Sequence, residues 1–182
     1  MFITKKKPSS LSAEAYRRLR TNIKLYSEEK PLKTIVITSS IRGEGKSTVT
    51  QNLAYILSKD ESKVLIIDCN LRKPSMHSMF SIENNVGLTD VLSGSCDLEK
   101  AIKNIEESLF LITSGSIVDK PSEILGSDSM KELLESVSNN FDYIIIDTSS
   151  ILVVSDTLLL ATQTDATIIV ANAKKTTTNV LK

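Results

Sequence analysis

A glycine-containing loop between an apolar strand pattern and a helical pattern is the feature that most constrains this chain. The loop covers residues 39–48, with the sequence SSIRGEGKST, and follows the apolar run at 34–38. Gly43 and Gly45 let backbone N–H groups turn around a phosphate chain, and the following helix adds unsatisfied N–H groups and its positive dipole end. The pattern predicts a P-loop that binds a nucleotide, although Ser40 replaces the first glycine of the usual motif.

The loop also contains the side chains that this chemistry needs. Lys46 can reach the β- and γ-phosphates of a nucleotide, and the Ser47 hydroxyl can ligate Mg²⁺. We expect the nucleotide to contact the last seven residues of the loop, which are Arg42, Gly43, Glu44, Gly45, Lys46, Ser47 and Thr48.

Two further apolar runs, at 63–68 and 142–147, each end in an aspartate. Ligands of parallel sheets bind at the carboxyl ends of the strands, so Asp68 and Asp147 would face the P-loop. A strand-end carboxylate can bind Mg²⁺ or its water shell, or it can simply cap the next turn. Beside a P-loop, we favour the metal role for at least one of the two.

Strand and helix patterns alternate along the chain. Apolar runs at 109–113 and 166–170 predict two more strands, and periodic apolar positions predict helices over 12–27, 128–139 and 155–162. Such alternation implies a parallel sheet with helices on both faces. The predicted fold is a single α/β domain, a three-layer P-loop NTPase fold with a mostly parallel sheet flanked by helices.

Composition restricts the classes of partner. The 22 basic residues balance the 22 acidic ones, and aromatic residues make up 4% of the chain, so we expect no nucleic-acid partner. No apolar run approaches the ~18 residues of a membrane span, and the N-terminus lacks an apolar signal core. A cytoplasmic location is expected, with residues 1–11 as a flexible, solvated tail.

The segment that follows the first strand-end aspartate resembles a motif of a known family. The run 68–74, DCNLRKP, is similar to the D-x-D-x-R-x-P motif of bacterial tyrosine kinases, the P-loop kinases of capsule and exopolysaccharide synthesis. Other signatures of that family follow in its order and spacing, over nearly the whole chain: an E-x-x-R-x-x-R helix at 14–20, the P-loop, GLTDVLSG at 87–94, KPSEIL at 120–125 and FDYIIID at 141–147.

The resemblance implies ATP- and Mg²⁺-dependent phosphorylation of protein tyrosine. Asn70 stands at the position that would orient or deprotonate the acceptor tyrosine, and Arg72 would touch phosphate or a neighbouring subunit. The catalytic residues would be Lys46, Asp68, Asn70 and Arg72, and the metal would be held by Ser47, Asp68 and Asp147.

The chain departs from the family pattern at several of these positions. Asn70 replaces an aspartate, and an amide cannot accept a proton at neutral pH, whereas general-base assistance is worth about 10²–10⁴ in rate. Arg42 stands where the family has proline, and Thr-Ser-Ser at 148–150 stands where it has Thr-Pro-Pro. Two alternatives therefore stay open: a nucleotide-switch ATPase of the partitioning or metal-carrier class, and a degenerate nucleotide-binding scaffold.

The resemblance also implies an assembly. Glu14, Arg17 and Arg20 would form a self-association surface on helix 12–27 and build a ring-like homo-oligomer through Arg–carboxylate contacts. The alternative for these residues is a set of solvated helix ion pairs. A membrane-anchored activator of the polysaccharide co-polymerase type would recruit the domain to the inner face of the cell membrane.

The acceptors expected from the family are protein tyrosines. The family continues past the position of Lys182 into another helix and a tyrosine-rich tail, so the resemblance implies that this chain lacks both. Its own tyrosines fall in predicted helices and strands, and we expect them to be core or half-buried residues rather than acceptors: Tyr16, Tyr26, Tyr55 and Tyr143.

Overall fold

A computed structural model describes residues 2–177 and places a six-stranded sheet between two layers of helices. The strands of this part are β1 (Thr34–Ser39), β2 (Val64–Asp68), β3 (Ile102–Glu106), β4 (Leu109–Ile112), β5 (Tyr143–Asp147) and β6 (Ala166–Val170). The helices are α1 (Ile3–Lys6), α2 (Leu11–Glu29), α3 (Lys46–Ser58), α4 (Met76–Phe80), α5 (Leu88–Leu92), α6 (Leu98–Ala101), α7 (Pro121–Leu125), α8 (Asp128–Ser138) and α9 (Asp156–Ala161).

The strand order is β3-β4-β2-β5-β1-β6, and every pairing is parallel except that of β3 with β4. This confirms the predicted three-layer fold with a mostly parallel sheet. Strand β3 was not predicted from the sequence, because its residues are mostly half-buried and mix isoleucine with polar and charged side chains. As the antiparallel edge strand of the sheet, β3 needs no continuous apolar run.

The apolar runs of the central strands supply the core on both faces of the sheet. Alternate residues of β2 point to opposite sides, so Leu65 and Ile67 join one buried cluster while Val64 and Ile66 join the other. The first cluster packs against α8, and the second packs against α2 and α3. Burial on both faces explains why these strands read as continuous apolar runs.

The N-terminal residues are not a solvated tail, which corrects the prediction for residues 1–11 over the part that the structure describes. Phe2 is buried, and its ring stacks on Tyr55 with 3.9 Å between centroids. The Ile3 N–H donates to the side-chain carbonyl oxygen of Asn52 at 2.6 Å, and the Lys5 ammonium lies 2.7 Å from the Glu106 carboxylate. The sequence did not indicate this packing, because the segment is dominated by a run of lysines and its main apolar contact comes from a single aromatic side chain.

The long helix α2 begins earlier than predicted. Ser10 is its N-cap, and the Ser10 hydroxyl accepts the N–H of Ala13 at 3.1 Å. Tyr26 was expected to be at least half-buried, but it is 55% exposed, on the solvent side of the last turn of α2 together with Leu25, whereas Ile23 is buried. The expected family extension past Lys182 lies outside the described residues.

Within residues 2–177, none of the helices is long and apolar enough to cross a membrane.

Candidate nucleotide and metal site

The P-loop lies at the carboxyl end of β1 and leads directly into α3. Gly43 and Gly45 have positive φ angles of 79° and 99°, which is the left-handed region that glycine adopts without steric cost. Gly45 is the N-cap of α3, so the free N–H groups of a 13-residue helix start at Lys46. This is the backbone geometry that binds a chain of phosphates.

Lys46 is buried beside two serine hydroxyls. Its ammonium donates to the Ser39 hydroxyl at 3.1 Å and to the Ser150 hydroxyl at 3.2 Å. Burial lowers the pKa of Lys46, while the carboxylates of Asp147 and Glu44 act in the opposite direction. The charge therefore lies in a poorly solvated position where an anionic ligand would interact with it strongly.

Asp147 lies next to the first turn of α3. The Ser47 hydroxyl donates to one carboxylate oxygen at 2.7 Å, and the Thr50 hydroxyl donates to the other at 3.0 Å. Burial, together with the nearby charge of Asp68, raises the pKa of Asp147 to about 7. A divalent cation would favour the ionised carboxylate and relieve this repulsion.

Asp68 pairs in register with Asp147 on the neighbouring strand. It accepts backbone N–H groups from Asn70 at 3.2 Å, Ser75 at 3.0 Å and Met76 at 2.9 Å. Burial raises the pKa of Asp68, and these hydrogen bonds partly offset the effect. Asp68 is thus held rigidly at the carboxyl end of β2, directly beside the Asp147 carboxylate that contacts Ser47.

These donors suit Mg²⁺. Across the described part of the chain, no cluster of three or more His, Cys, Asp or Glu side chains is arranged to hold a metal. Mg²⁺ does not need such a cluster, because it usually keeps several waters and binds one or two carboxylates plus substrate phosphates. Ser47, Asp68 and Asp147 therefore fit Mg²⁺ better than a metal with a complete protein coordination shell.

A cavity of about 380 Å³ opens above the carboxyl ends of these central strands. It brings together most of the site residues predicted from the sequence, while the buried Asp68 and Asp147 are not part of its wall. The predicted residues that line it are Arg42, Gly43, Gly45, Lys46, Ser47, Thr48, Asn70 and Arg72.

The Glu44 side chain does not line the cavity, although its neighbours in the loop do. Its carboxylate accepts the N–H of Ile41 at 2.8 Å and the N–H of Asn172 at 3.1 Å, and it also binds the Thr176 hydroxyl. Burial acts to raise the pKa of Glu44, but these hydrogen bonds outweigh it and the net shift is downward. Glu44 therefore ties the P-loop to the segment after β6.

Arg72 has a partner that the sequence analysis did not identify. Its Nε donates to Asp156 at 2.9 Å, and its Nη2 donates to Asp156 at 3.3 Å and to the Ser122 hydroxyl at 3.4 Å. Ser122 also donates to Asp156 at 2.5 Å. Ser122 lies within the KPSEIL signature, which was the only signal in the sequence for this network. Asp156 is the first residue of α9 and gave no local signal.

The predicted self-association residues lie on α2, in a different element from the nucleotide site. Arg17 donates to Glu14 at 2.5 Å and to the backbone carbonyl of Pro8. Arg20 is half-buried and lies near Asp60, so its charge lowers the pKa of that carboxyl after the larger effect of Lys24. Within one chain, Glu14 and Arg17 form a local ion pair.

The sequence is similar to named kinases. The family profile described as "AAA domain" matches residues 32–181. Tyrosine-protein kinase YwqD of Bacillus subtilis is 42% identical over 170 residues, covering 93% of this chain and 72% of that protein. Tyrosine-protein kinase etk of Escherichia coli K12 is 33% identical over 171 residues, covering 93% of this chain but only 24% of that protein. The chain therefore spans about a quarter of the longer relative.

Solved structures point the same way. The kinase domain of E. coli tyrosine kinase ETK superposes on 100% of this chain and 71% of its own, with a TM-score of 0.95 and 31% identity. The chimerical protein CapA2B2 covers 100% of this chain and 80% of its own, with a TM-score of 0.94 and 33% identity. MinD of Pyrococcus horikoshii matches less well, with a TM-score of 0.64 over 76% of this chain, so the nucleotide-switch alternative is not favoured. The chain belongs to the family of bacterial tyrosine kinases.

Proposed function

We propose that this protein transfers the γ-phosphate of ATP to protein tyrosine in a Mg²⁺-dependent reaction. The observation that carries the proposal is that Lys46, Ser47, Asp68 and Asp147 lie together at the carboxyl ends of the central strands, below an open cavity. Membership of the tyrosine kinase family supports the choice of tyrosine as acceptor.

Some residues of the site would bind the phosphates, and others would hold the metal that neutralises their charge. The N–H groups of the loop and Lys46 would bind the β- and γ-phosphates, because phosphoryl transfer depends mainly on positioning and electrostatic stabilisation. Ser47, Asp68 and Asp147 would hold Mg²⁺, which when bound neutralises charge on the phosphate oxygens. To reach the phosphates, the Lys46 ammonium would exchange its two serine hydroxyl partners for phosphate oxygens.

Arg72 would add a positive charge to the cavity wall. Asp156 accepts from Nε and Nη2, and Nη1 has no protein partner among residues 2–177, so Nη1 could bind a ligand in the cavity. A guanidinium suits phosphate because its planar set of donors matches the phosphate oxygens. We assign Arg72 to binding the transferred phosphate, or a neighbouring subunit, in the assembled protein.

The wider assignment includes regulation of capsule or exopolysaccharide synthesis and export. The domain would act at the inner face of the cell membrane through a membrane-anchored activator, with protein tyrosines as acceptors. Its α2 surface would build a ring-like homo-oligomer. Family membership and the E-x-x-R-x-x-R helix support this assignment.

Mass spectrometry of phosphotyrosine tests the proposal. The protein is incubated with Mg-ATP and a tyrosine-rich peptide, with and without the cytoplasmic segment of a candidate activator. Lys46→Met is the control, because it removes the buried charge and should weaken ATP binding at least about tenfold in calorimetry. Phosphotyrosine that disappears in Lys46→Met supports the kinase assignment.

Two other results would contradict it. Release of ADP without phosphotyrosine would identify a nucleotide-switch ATPase. ATP binding with neither product, even with the activator segment, would identify a nucleotide-binding scaffold.

A further inference from the structure

Asn70 and Ser149 meet at the wall of the cavity. They occupy equivalent places, because each lies two residues beyond one of the register-paired aspartates Asp68 and Asp147. The Ser149 hydroxyl donates to the Asn70 side-chain carbonyl at 3.1 Å. Ser149 is buried, whereas Asn70 is half-buried and lines the cavity.

This contact determines which end of the amide is available to a ligand. A carboxamide has one acceptor oxygen and two N–H donors. Ser149 occupies one lone pair of the Asn70 oxygen, and within residues 2–177 the amide nitrogen donates to no protein acceptor, so both N–H groups are available. The group offered to the cavity is therefore a hydrogen-bond donor.

The backbone around Ser149 makes this contact rigid. The Ser149 carbonyl accepts the hydroxyls of Thr38 at 2.8 Å and Thr157 at 2.9 Å, which anchor the residue to β1 and α9. On the other side, the Asn70 N–H is held by Asp68. Both partners are thus fixed by backbone hydrogen bonds, so little entropy is lost when the amide is held in one orientation.

We infer that Ser149 is a positioning residue that holds the Asn70 amide with its N–H donors toward the acceptor, so that the site binds the tyrosine oxygen as a phenolate. This inference rests on the proposed kinase function and names how the acceptor is recognised. An aspartate at position 70 would accept a proton from the acceptor, whereas this amide stabilises an oxygen that has already lost its proton.

The reaction balances without a protein base. The tyrosine phenol first releases its proton to water. The phenolate oxygen then forms a bond to the γ-phosphorus while the bond from that phosphorus to the β–γ bridging oxygen breaks, and ADP leaves with the electron pair. Because a tyrosine phenol has a pKa of about 10, only a small fraction is ionised at pH 7. Transfer by the unaltered protein should therefore depend strongly on the acidity of the acceptor.

The kinetic test compares acceptor peptides whose tyrosine rings carry increasing fluorine substitution and are therefore more acidic. At pH 7 the unaltered protein should phosphorylate the most acidic acceptor at least about tenfold faster than ordinary tyrosine. Asn70→Asp should phosphorylate ordinary tyrosine faster than the unaltered protein and show a flatter dependence on acidity, because its carboxylate can accept the proton. Equal dependence in the two proteins would overturn the inference.

Ser149 variants test the positioning role. Ser149→Ala should lower kcat by about tenfold, the effect of one transition-state hydrogen bond, with the Kd for ATP changed by less than about twofold. Ser149→Thr keeps the hydroxyl and should retain activity. The matched control is Ser155→Ala, an exposed serine of the same loop. An unchanged kcat in a folded Ser149→Ala protein would overturn the role of Ser149.

Side-chain amide NMR separates this inference from the proposed function. The Asn70 NH₂ resonance, assigned by its loss in Asn70→Asp, should be ordered in the unaltered protein and in Ser155→Ala. In Ser149→Ala its order parameter should fall to the flexible range, below about 0.6. Equal order in all three proteins would show that Ser149 does not hold the amide, whatever the activity. Absence of phosphotyrosine with every acceptor would overturn the kinase function and the acceptor role together.

Discussion

At the scale of the residue, buried charges surround the candidate site, and each has a specific compensating partner. Lys46 lies against two hydroxyls, Asp147 accepts two more, and Asp68 accepts backbone N–H groups. Burying a charge without such partners costs several kcal/mol, so these arrangements keep the site folded before a ligand binds. The buried charge of Asp156 is compensated in the same way: its side chain is almost fully buried and forms an ion pair with Arg72.

The pH dependence of the stability lost in Asp156→Asn tests this compensation. Burial acts to raise the pKa of Asp156, but hydrogen bonds from Arg72 and Ser122 outweigh it and the net shift is downward. A carboxyl with a lowered folded-state pKa contributes stability above its ordinary pKa of 3.8 and loses it as pH falls through the lower folded-state value. Asp156→Asn should therefore cost about 1–3 kcal/mol at pH 7. The cost should shrink as pH falls below about 4.

Urea unfolding from pH 7 down to pH 3.5 measures this difference. Ser155→Ala, one residue earlier and exposed, serves as the control for α9. A cost for Asp156→Asn that stays constant over the whole range would contradict the ion pair.

At the scale of the element, the N-terminal segment is part of the folded domain. Phe2 packs between Tyr55 of α3 and Phe80 of α4, with 5.9 Å between the Phe2 and Phe80 ring centroids. The short helix α4 begins at Met76, whose N–H binds Asp68. The N-terminal segment, which contains a run of three lysines, is thus packed through the Phe2 side chain against an element that supports the site.

Phe2→Ala should lower the free energy of unfolding by about 3 kcal/mol, because it removes a buried aromatic ring and leaves a cavity against Tyr55. Lys6→Ala is the matched control: it lies on the same short helix, is exposed and should change stability by less than about 0.5 kcal/mol. Thermal and urea unfolding measure both. Equal stability of the two variants would favour the solvated tail that the sequence suggested.

At the scale of the whole molecule, the proposed self-association depends on one face of α2. Arg17 already binds Glu14 and Pro8 within its own chain, and Arg20 lies half-buried near Asp60. A subunit contact through this face would therefore have to exchange or share the local ion pair. Such exchange is favourable where two subunits form bidentate Arg–carboxylate contacts away from solvent.

The double variant Arg17→Ala/Arg20→Ala should weaken assembly at least about tenfold, because it removes both guanidinium groups from the proposed contact. Arg18→Ala lies on the same helix, is exposed and should leave the assembly unchanged. Sedimentation of the three proteins over a range of concentrations measures the effect. Identical mass distributions would show that α2 does not carry the subunit contact.

Features that depend on a local pattern of residues could be predicted from the sequence. The P-loop, the apolar strands that end in Asp68 and Asp147, and the order of α and β elements follow from periodicity and short motifs, because the relevant residues are neighbours in the chain. The fold class and the family follow from the same signals. One local feature was not predicted, the packing of Phe2, because the lysines that follow it are typical of a solvated segment.

Which distant side chains meet could not be predicted from local patterns and depends on the tertiary fold. Asn70 and Ser149 are 79 positions apart, and Arg72 and Asp156 are 84 positions apart. Their contacts depend on β2 lying beside β5 and on α9 following it, which no local pattern specifies. The antiparallel pairing of β3 with β4 is a different case: the two strands are neighbours in the chain, but the half-buried residues of β3 form no continuous apolar run that would predict a strand. The physical reason is common to both side-chain contacts: each forms only when the parallel sheet brings remote strand ends to the same end of the sheet.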